Sequence, residues 1–169
     1  DIAGLPAGAV LGTEDFSFHV GNSNTPGSWQ TLAQASIALP TIAAPRELAD
    51  QPGVSRITLI WPDNAIVKRW LQVTVLATPQ TGLAAADEFF FGNAVGETGN
   101  SSSDALVNLS DVILTRNNQT GFSFAEITNA YDVNRDRLVN LSDVILTRNN
   151  QSGFNPLLLI DLTAYSPPG

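Results

Sequence analysis

The chain contains no cysteine and no methionine, so disulfides, thiolate metal sites and cysteine nucleophiles are all excluded. Its single histidine, His19, leaves no second imidazole for an H-E-x-x-H zinc site and makes a nucleophile–base pair hard to assemble. Basic residues are scarce: eight Lys and Arg stand against sixteen Asp and Glu, for a formal charge of −8. That balance repels phosphate backbones and argues against nucleic acid as a partner. No apolar run approaches the roughly 20 residues that cross a bilayer, and no basic-then-apolar leader opens the sequence. Neither a G-x-S-x-G elbow nor a phosphate-cradling glycine loop is present, so the chain reads as non-enzymatic. It opens on Asp1 rather than Met and is read as a piece of something longer. A protein without readily oxidised sulfur suits an oxidising exterior.

What is present divides into two halves. The 169 residues, 43% of them hydrophobic, are enough for one large or two small globular domains. Residues 1–92 show period-2 alternation: Phe16, Phe18 and Val20 against Ser17 and His19, then Ile57, Leu59 and Trp61, then Leu71, Val73, Val75 and Ala77. Pro26-Gly27, Pro52-Gly53, Pro62-Asp63 and Pro79 punctuate them, which predicts an antiparallel β-sandwich. His19 falls on the polar side of its strand and is expected to be solvated.

Residues 93–169 are organised by a repeat. The string LVNLSDVILTRNNQ occurs at Leu106–Gln119 and again at Leu138–Gln151, an offset of 32 residues. Two copies are too few for a solenoid, so a face-to-face pair about a pseudo-two-fold axis is expected. Helices are predicted over Ser110–Asn118 and Ser142–Asn150, with Gly121 and Gly153 as C-terminal punctuation. Ser123 with Glu126 has the form of a capping box for a short helix toward Tyr131. Asn155-Pro156 carries a similar start signal, although Leu157–Leu162 reads equally well as a buried strand.

The residues leading into each copy carry the chemistry. In DVNRDRLVNLSD, Asp132, Asn134, Asp136, Asn140 and Asp143 fall at positions 1, 3, 5, 9 and 12, and Leu138 at position 7 offers its carbonyl. That is the ligand order of a twelve-residue calcium loop, in which a hard ion collects six to eight oxygens at about 2.3–2.6 Å. The first copy, NSSSDALVNLSD, places Asn100, Ser102, Asp104, Leu106, Asn108 and Asp111 at the same six positions. It offers two carboxylates against three and is expected to bind more weakly. Position 6, ordinarily a left-handed glycine, is Ala105 in one loop and Arg137 in the other, so both turns are expected to relax. Asp143→Ala is expected to lower thermal stability only in the presence of calcium. Five N-x-S/T strings occur, at Asn100, Asn108, Asn118, Asn140 and Asn150, but three of them are loop positions, which disfavours glycosylation there.

A calcium loop followed by one helix, duplicated as DVNRDRLVNLSDVILTRNN and SDALVNLSDVILTRNN, resembles a dockerin. The lead-in FFFGNAVGETGN and the β-rich segment before it are similar to the C-terminal regions of large bacterial cell-surface proteins. The resemblance implies a small α-rich domain of two calcium-binding loop–helix repeats that docks onto a cohesin-like protein outside a bacterial cell. It also implies partner contacts at Leu109, Ser110 and Arg116, and at Leu141, Ser142 and Arg148, presented twice and so usable in two orientations. A competing placement packs Leu109 and Leu141 between the halves.

Two other functions fit the same residues. Self-assembly into a surface polymer would use Ile2–Leu11 or Leu157–Ala164 to complete a neighbour's sheet. Polysaccharide binding would use Trp29, Trp61 and Trp70 as a stacking platform, against the alternative that they pack the core.

Overall fold

The computed structural model describes residues 1–163 and 165. The alternation in the first half becomes a sandwich-like stack of antiparallel sheets. One sheet orders β1 (Ile2–Ala3), β6 (Gln51–Arg56) and β5 (Arg46–Leu48). The largest orders β3 (Gln30–Thr31), β2 (Phe16–Gly21), β8 (Arg69–Val75) and β9 (Asp87–Asn93), and a small ribbon pairs β4 (Thr41–Ile42) with β7 (Leu59–Ile60).

Register puts like with like. Phe16 lies opposite Val75, Phe18 opposite Val73 and Val20 opposite Leu71, so every second residue of β2 and β8 enters the core. Ile2, Leu11 and Leu32 close that core, and Phe18 meets the Trp61 ring edge-on at 5.4 Å. Each such buried side chain contributes about 1.5–3 kcal/mol relative to exposure. The core stops short at β9, an edge strand whose Phe89 and Phe91 remain exposed over an apolar cleft of about 300 Å³ shared with Ile57, Leu59 and Val73.

His19 is half-buried rather than solvated. It lines a cleft shared with Gln72, Glu88 and Tyr165, in which Gln72 Nε2 donates to Glu88 at 2.9 Å and to the Tyr165 hydroxyl at 3.0 Å. Burial, with the Glu88 carboxylate beside it, raises the Tyr165 hydroxyl above the ordinary tyrosine range.

Among the described residues there are two α-helices, α1 (Leu109–Asn117) and α2 (Leu141–Asn149), each starting one residue before the predicted position. Asn108 and Asn140 are the N-caps: each side-chain oxygen accepts from the backbone N–H of Ser110 or Ser142 at 2.7 Å. Gly121 and Gly153 do take left-handed backbone, but beyond the C-caps Asn118 and Asn150.

The two halves clasp reciprocally. Thr120 N donates to the Val139 carbonyl at 3.0 Å and Ser152 N to the Val107 carbonyl at 2.8 Å. In return Val139 N donates to Thr120 Oγ1 and Val107 N to Ser152 Oγ, both at 3.0 Å. Thr115 and Thr147, fully buried, face each other at 3.5 Å where the helices cross. The 32-residue offset carries Thr120 to Ser152, Val107 to Val139 and Thr115 to Thr147, so each contact maps onto its counterpart, as a pseudo-two-fold arrangement requires. Leu109 and Leu141 are not in that interface; they are 63% and 64% exposed.

Two segments depart from expectation. No helix forms between Ser123 and Tyr131, because its backbone is engaged elsewhere. Ala125 N donates to the Arg137 carbonyl at 2.7 Å, and the Arg135 guanidinium takes the Ile127 and Asn129 carbonyls. Leu157–Leu162 is neither helix nor strand beyond one bridge between Leu157 and Ala105; it is a strap laid back across the large sheet. Asn22 clamps it from both sides, donating to the Pro156 carbonyl at 2.9 Å and accepting from Leu158 N at 2.7 Å. Trp70 Nε1 donates to the Leu158 carbonyl at 2.7 Å. Asn22→Ala is expected to cost about 1–3 kcal/mol, two hydrogen bonds lost and the Pro156 carbonyl and Leu158 N–H left without their partner. Amide exchange at Leu158 should then accelerate; an unchanged exchange rate would show that Asn22 does not hold the strap.

Candidate metal centre

The second loop is built by its own hydrogen bonds. Asn134 Oδ1 accepts from Asp136 N at 3.0 Å, and the Asp136 carboxylate accepts from Leu138 N on Oδ1 at 2.9 Å and from the Asn134 side-chain amide on Oδ2 at 2.8 Å. Asp143, fully buried in the first turn of α2, accepts from Val133 N and Asn134 N on Oδ1 and from Asn140 N on Oδ2. Asp132 accepts from Arg137 N on Oδ2 at 3.0 Å. The residues expected at positions 3, 5, 7, 9 and 12 therefore share one network, with Leu138 entering through its N–H, while position 1 is tied to the loop only through Arg137 N.

Two features go beyond good turn geometry. Arg135 and Arg137, at positions 4 and 6, both take left-handed backbone, with φ of 59° and 73°. The turn has not relaxed, although a residue with a Cβ costs about 1–2 kcal/mol there. The neighbouring segment holds it: Arg135 grips the two carbonyls named above, and Arg137 lies 4.6 Å over the Phe124 ring. The second feature is Asp132 itself, only 2% exposed, whose Oδ1 is buried with no donor. A buried carboxylate oxygen without a donor or counter-charge is costly, and a cation is the usual remedy.

The first loop keeps Asp104, Leu106, Asn108 and Asp111 in register with the second but has a different interior. Ala105, at position 6, is not left-handed; it pairs with Leu157. Asp104 accepts from Ser101 Oγ at 2.9 Å and from Leu106 N at 3.1 Å, and the Ser101 hydroxyl, then the Leu106 amide, hold its carboxyl below the usual carboxylate range. Asn100 donates to Asp111, while Ser102 is exposed. Among the described residues, no three of His, Cys, Asp and Glu gather closely enough to hold an ion by themselves. A calcium shell on either loop would draw on Asn and backbone oxygens as well, as position 7 and the Asn positions already imply.

Outside the loops, Ser110, Ser142, Arg116 and Arg148 are exposed together with Leu109 and Leu141, and Ile113 and Ile145 join them on the outer helix faces. Phe122 and Phe154 stand fully exposed at equivalent places after each helix. Neither Phe nor the bracing arginines carried a motif; only the two-copy register singles out the phenylalanines. The three tryptophans form no common platform. Trp61 packs on Phe18 inside the sandwich, Trp29 is buried edge-on to Phe90, and Trp70 is tied to the strap.

No family profile, curated protein or solved structure matches this chain. The described residues include no helix long and apolar enough to cross a membrane.

Proposed function

We propose that this chain is a non-enzymatic, calcium-stabilised docking module that works outside a bacterial cell, its C-terminal half carrying dockerin-like repeats and its partner a cohesin-like protein. The observation that carries the reading is the buried, donorless Oδ1 of Asp132 inside a loop already curled left-handed at positions 4 and 6. Asp132, Asn134, Asp136, Asn140, Asp143 and the Leu138 carbonyl are the ligands assigned to the ion. Calcium that binds the folded loop and not the unfolded chain adds about 2.7 kcal/mol at 100 times Kd. Sites with Kd of about 10⁻⁴–10⁻³ M fill only where calcium is abundant, which is the argument for the exterior.

The docking face is assigned to the exposed Leu-Ser pairs that open each helix and the Arg near each end: Leu109, Ser110 and Arg116, and Leu141, Ser142 and Arg148. Apolar anchors ringed by Ser and Arg suit a protein surface rather than an anionic polymer in a chain of charge −8. Calcium is expected to raise the melting temperature of the wild-type chain, and Asp132→Ala to remove most of that rise. Identical melting curves in calcium and in EGTA would refute the ion's role.

One observation favours self-assembly as a second reading. The β9 edge with exposed Phe89 and Phe91 beside an apolar cleft is an unguarded acceptor for another strand. The candidate donor segments are engaged at home: Ile2 is buried in β1, and Leu157 is buried at the start of the strap where it pairs with Ala105, while Ala164 lies outside the described residues. Size-exclusion chromatography across a range of concentrations separates the two readings, a strict monomer disfavouring assembly.

A further inference from the structure

The loops differ most at position 1. Asp132 can only accept, and one of its oxygens is left without a donor. Asn100, its counterpart, turns its amide nitrogen onto Asp111 Oδ1 at 2.9 Å. Because Asp111 offers only acceptors, the group facing it has to be the amide NH₂ and not the amide oxygen. The same Oδ1 accepts from Thr98 Oγ1 at 2.8 Å and from Thr98 N at 3.1 Å, and Oδ2 accepts from Asn108 N at 2.8 Å. Three donors therefore crowd Oδ1 and one meets Oδ2 of a carboxylate that has no exposure to solvent. Alanine occupies Thr98's place in the second copy, at Ala130, so this arrangement belongs to the first loop alone.

We infer that the first loop is an ion-free counterpart, closed by the Asn100 amide and the Thr98 hydroxyl, and that the chain takes one calcium, at the second loop. An ion on the first loop would have to turn Asn100 around and strip donors from Asp111, while the bridge from Ala105 to Leu157 holds position 6 away from the left-handed curl. The consequence is functional. Chemically equal faces on α1 and α2 would answer calcium unequally, one formed at any calcium level and the other conditioned by it. The inference rests on the calcium reading of the second loop.

Isothermal titration of EGTA-stripped full chain with calcium chloride tests it, with melting temperature followed in parallel. Wild type is expected to bind one ion, and Asp132→Ala none. Asn100→Asp removes the donor and sets a second carboxylate beside Asp111; it should melt lower in EGTA and raise the stoichiometry from one to two. Two ions on wild type, or one that survives Asp132→Ala, overturn the inference and leave the calcium reading standing. No ion on wild type overturns both.

Discussion

Asp143→Ala should lose about 3–5 kcal/mol of stability in EGTA, and more once calcium is supplied. The side chain is fully buried, and its carboxylate is the acceptor for Val133 N, Asn134 N and Asn140 N. It is also the return half of the capping box at the start of α2. Losing an N-terminal cap costs about 1 kcal/mol, and each buried N–H left without an acceptor about 1–3 kcal/mol before water recovers part of it. From sequence alone the residue looked like a ligand and nothing more, so the loss was expected only with the ion present. The structure gives it a second occupation that needs no ion. Urea unfolding in EGTA reads the first part and in calcium the sum; an unchanged midpoint in EGTA would show that the capping network contributes nothing. Asp111→Ala, with four donors stranded, should lose a similar amount in both buffers alike.

Gly96→Val is the second large effect, at about 3 kcal/mol or more. Gly96 sits at φ 88° in the lead-in to the first repeat, and a Cβ there would lie 2.8 Å from the Thr147 Cα of α2. The obstacle is helix backbone, which cannot swing aside as a flexible side chain does. Left-handed strain accounts for about 1–2 kcal/mol and forced separation of the packed elements for about 1–3 kcal/mol. Gly99→Ala is the control: φ is 75° but nothing lies within 4 Å, so only the conformational part should appear. Thermal unfolding of both variants decides the matter, and equal losses would mean that Gly96 does not abut α2.

Much of this was legible beforehand. Strict alternation fixed the faces of β2 and β8, since a pleated strand with one wet side leaves no other choice. Fourteen repeated residues implied a symmetric pair, and the swapped Thr120–Val139 and Ser152–Val107 bonds are its physical form. Ligand order put Asp132 and Asp143 in one loop. What escaped was long-range. Asn22 and Leu158 are 136 residues apart, and nothing near Pro156 announces that its carbonyl will be gripped. The Ser123–Glu126 signal was overridden because Arg135 and Arg137 claim that segment's backbone and Phe124. Arg137 keeps its turn by that bracing, where glycine would have kept it by lacking a side chain.

The strap from Pro156 to Asp161 has one more implication. It is anchored at Asn22, Asn24 and Trp70 of the β-rich half, and Lys68 reaches the Gln151 carbonyl just beyond α2. Sheet and helices are thus tied at several points, so a partner held at Leu141, as proposed, would be carried at a bearing set by those tethers to β2 and β8.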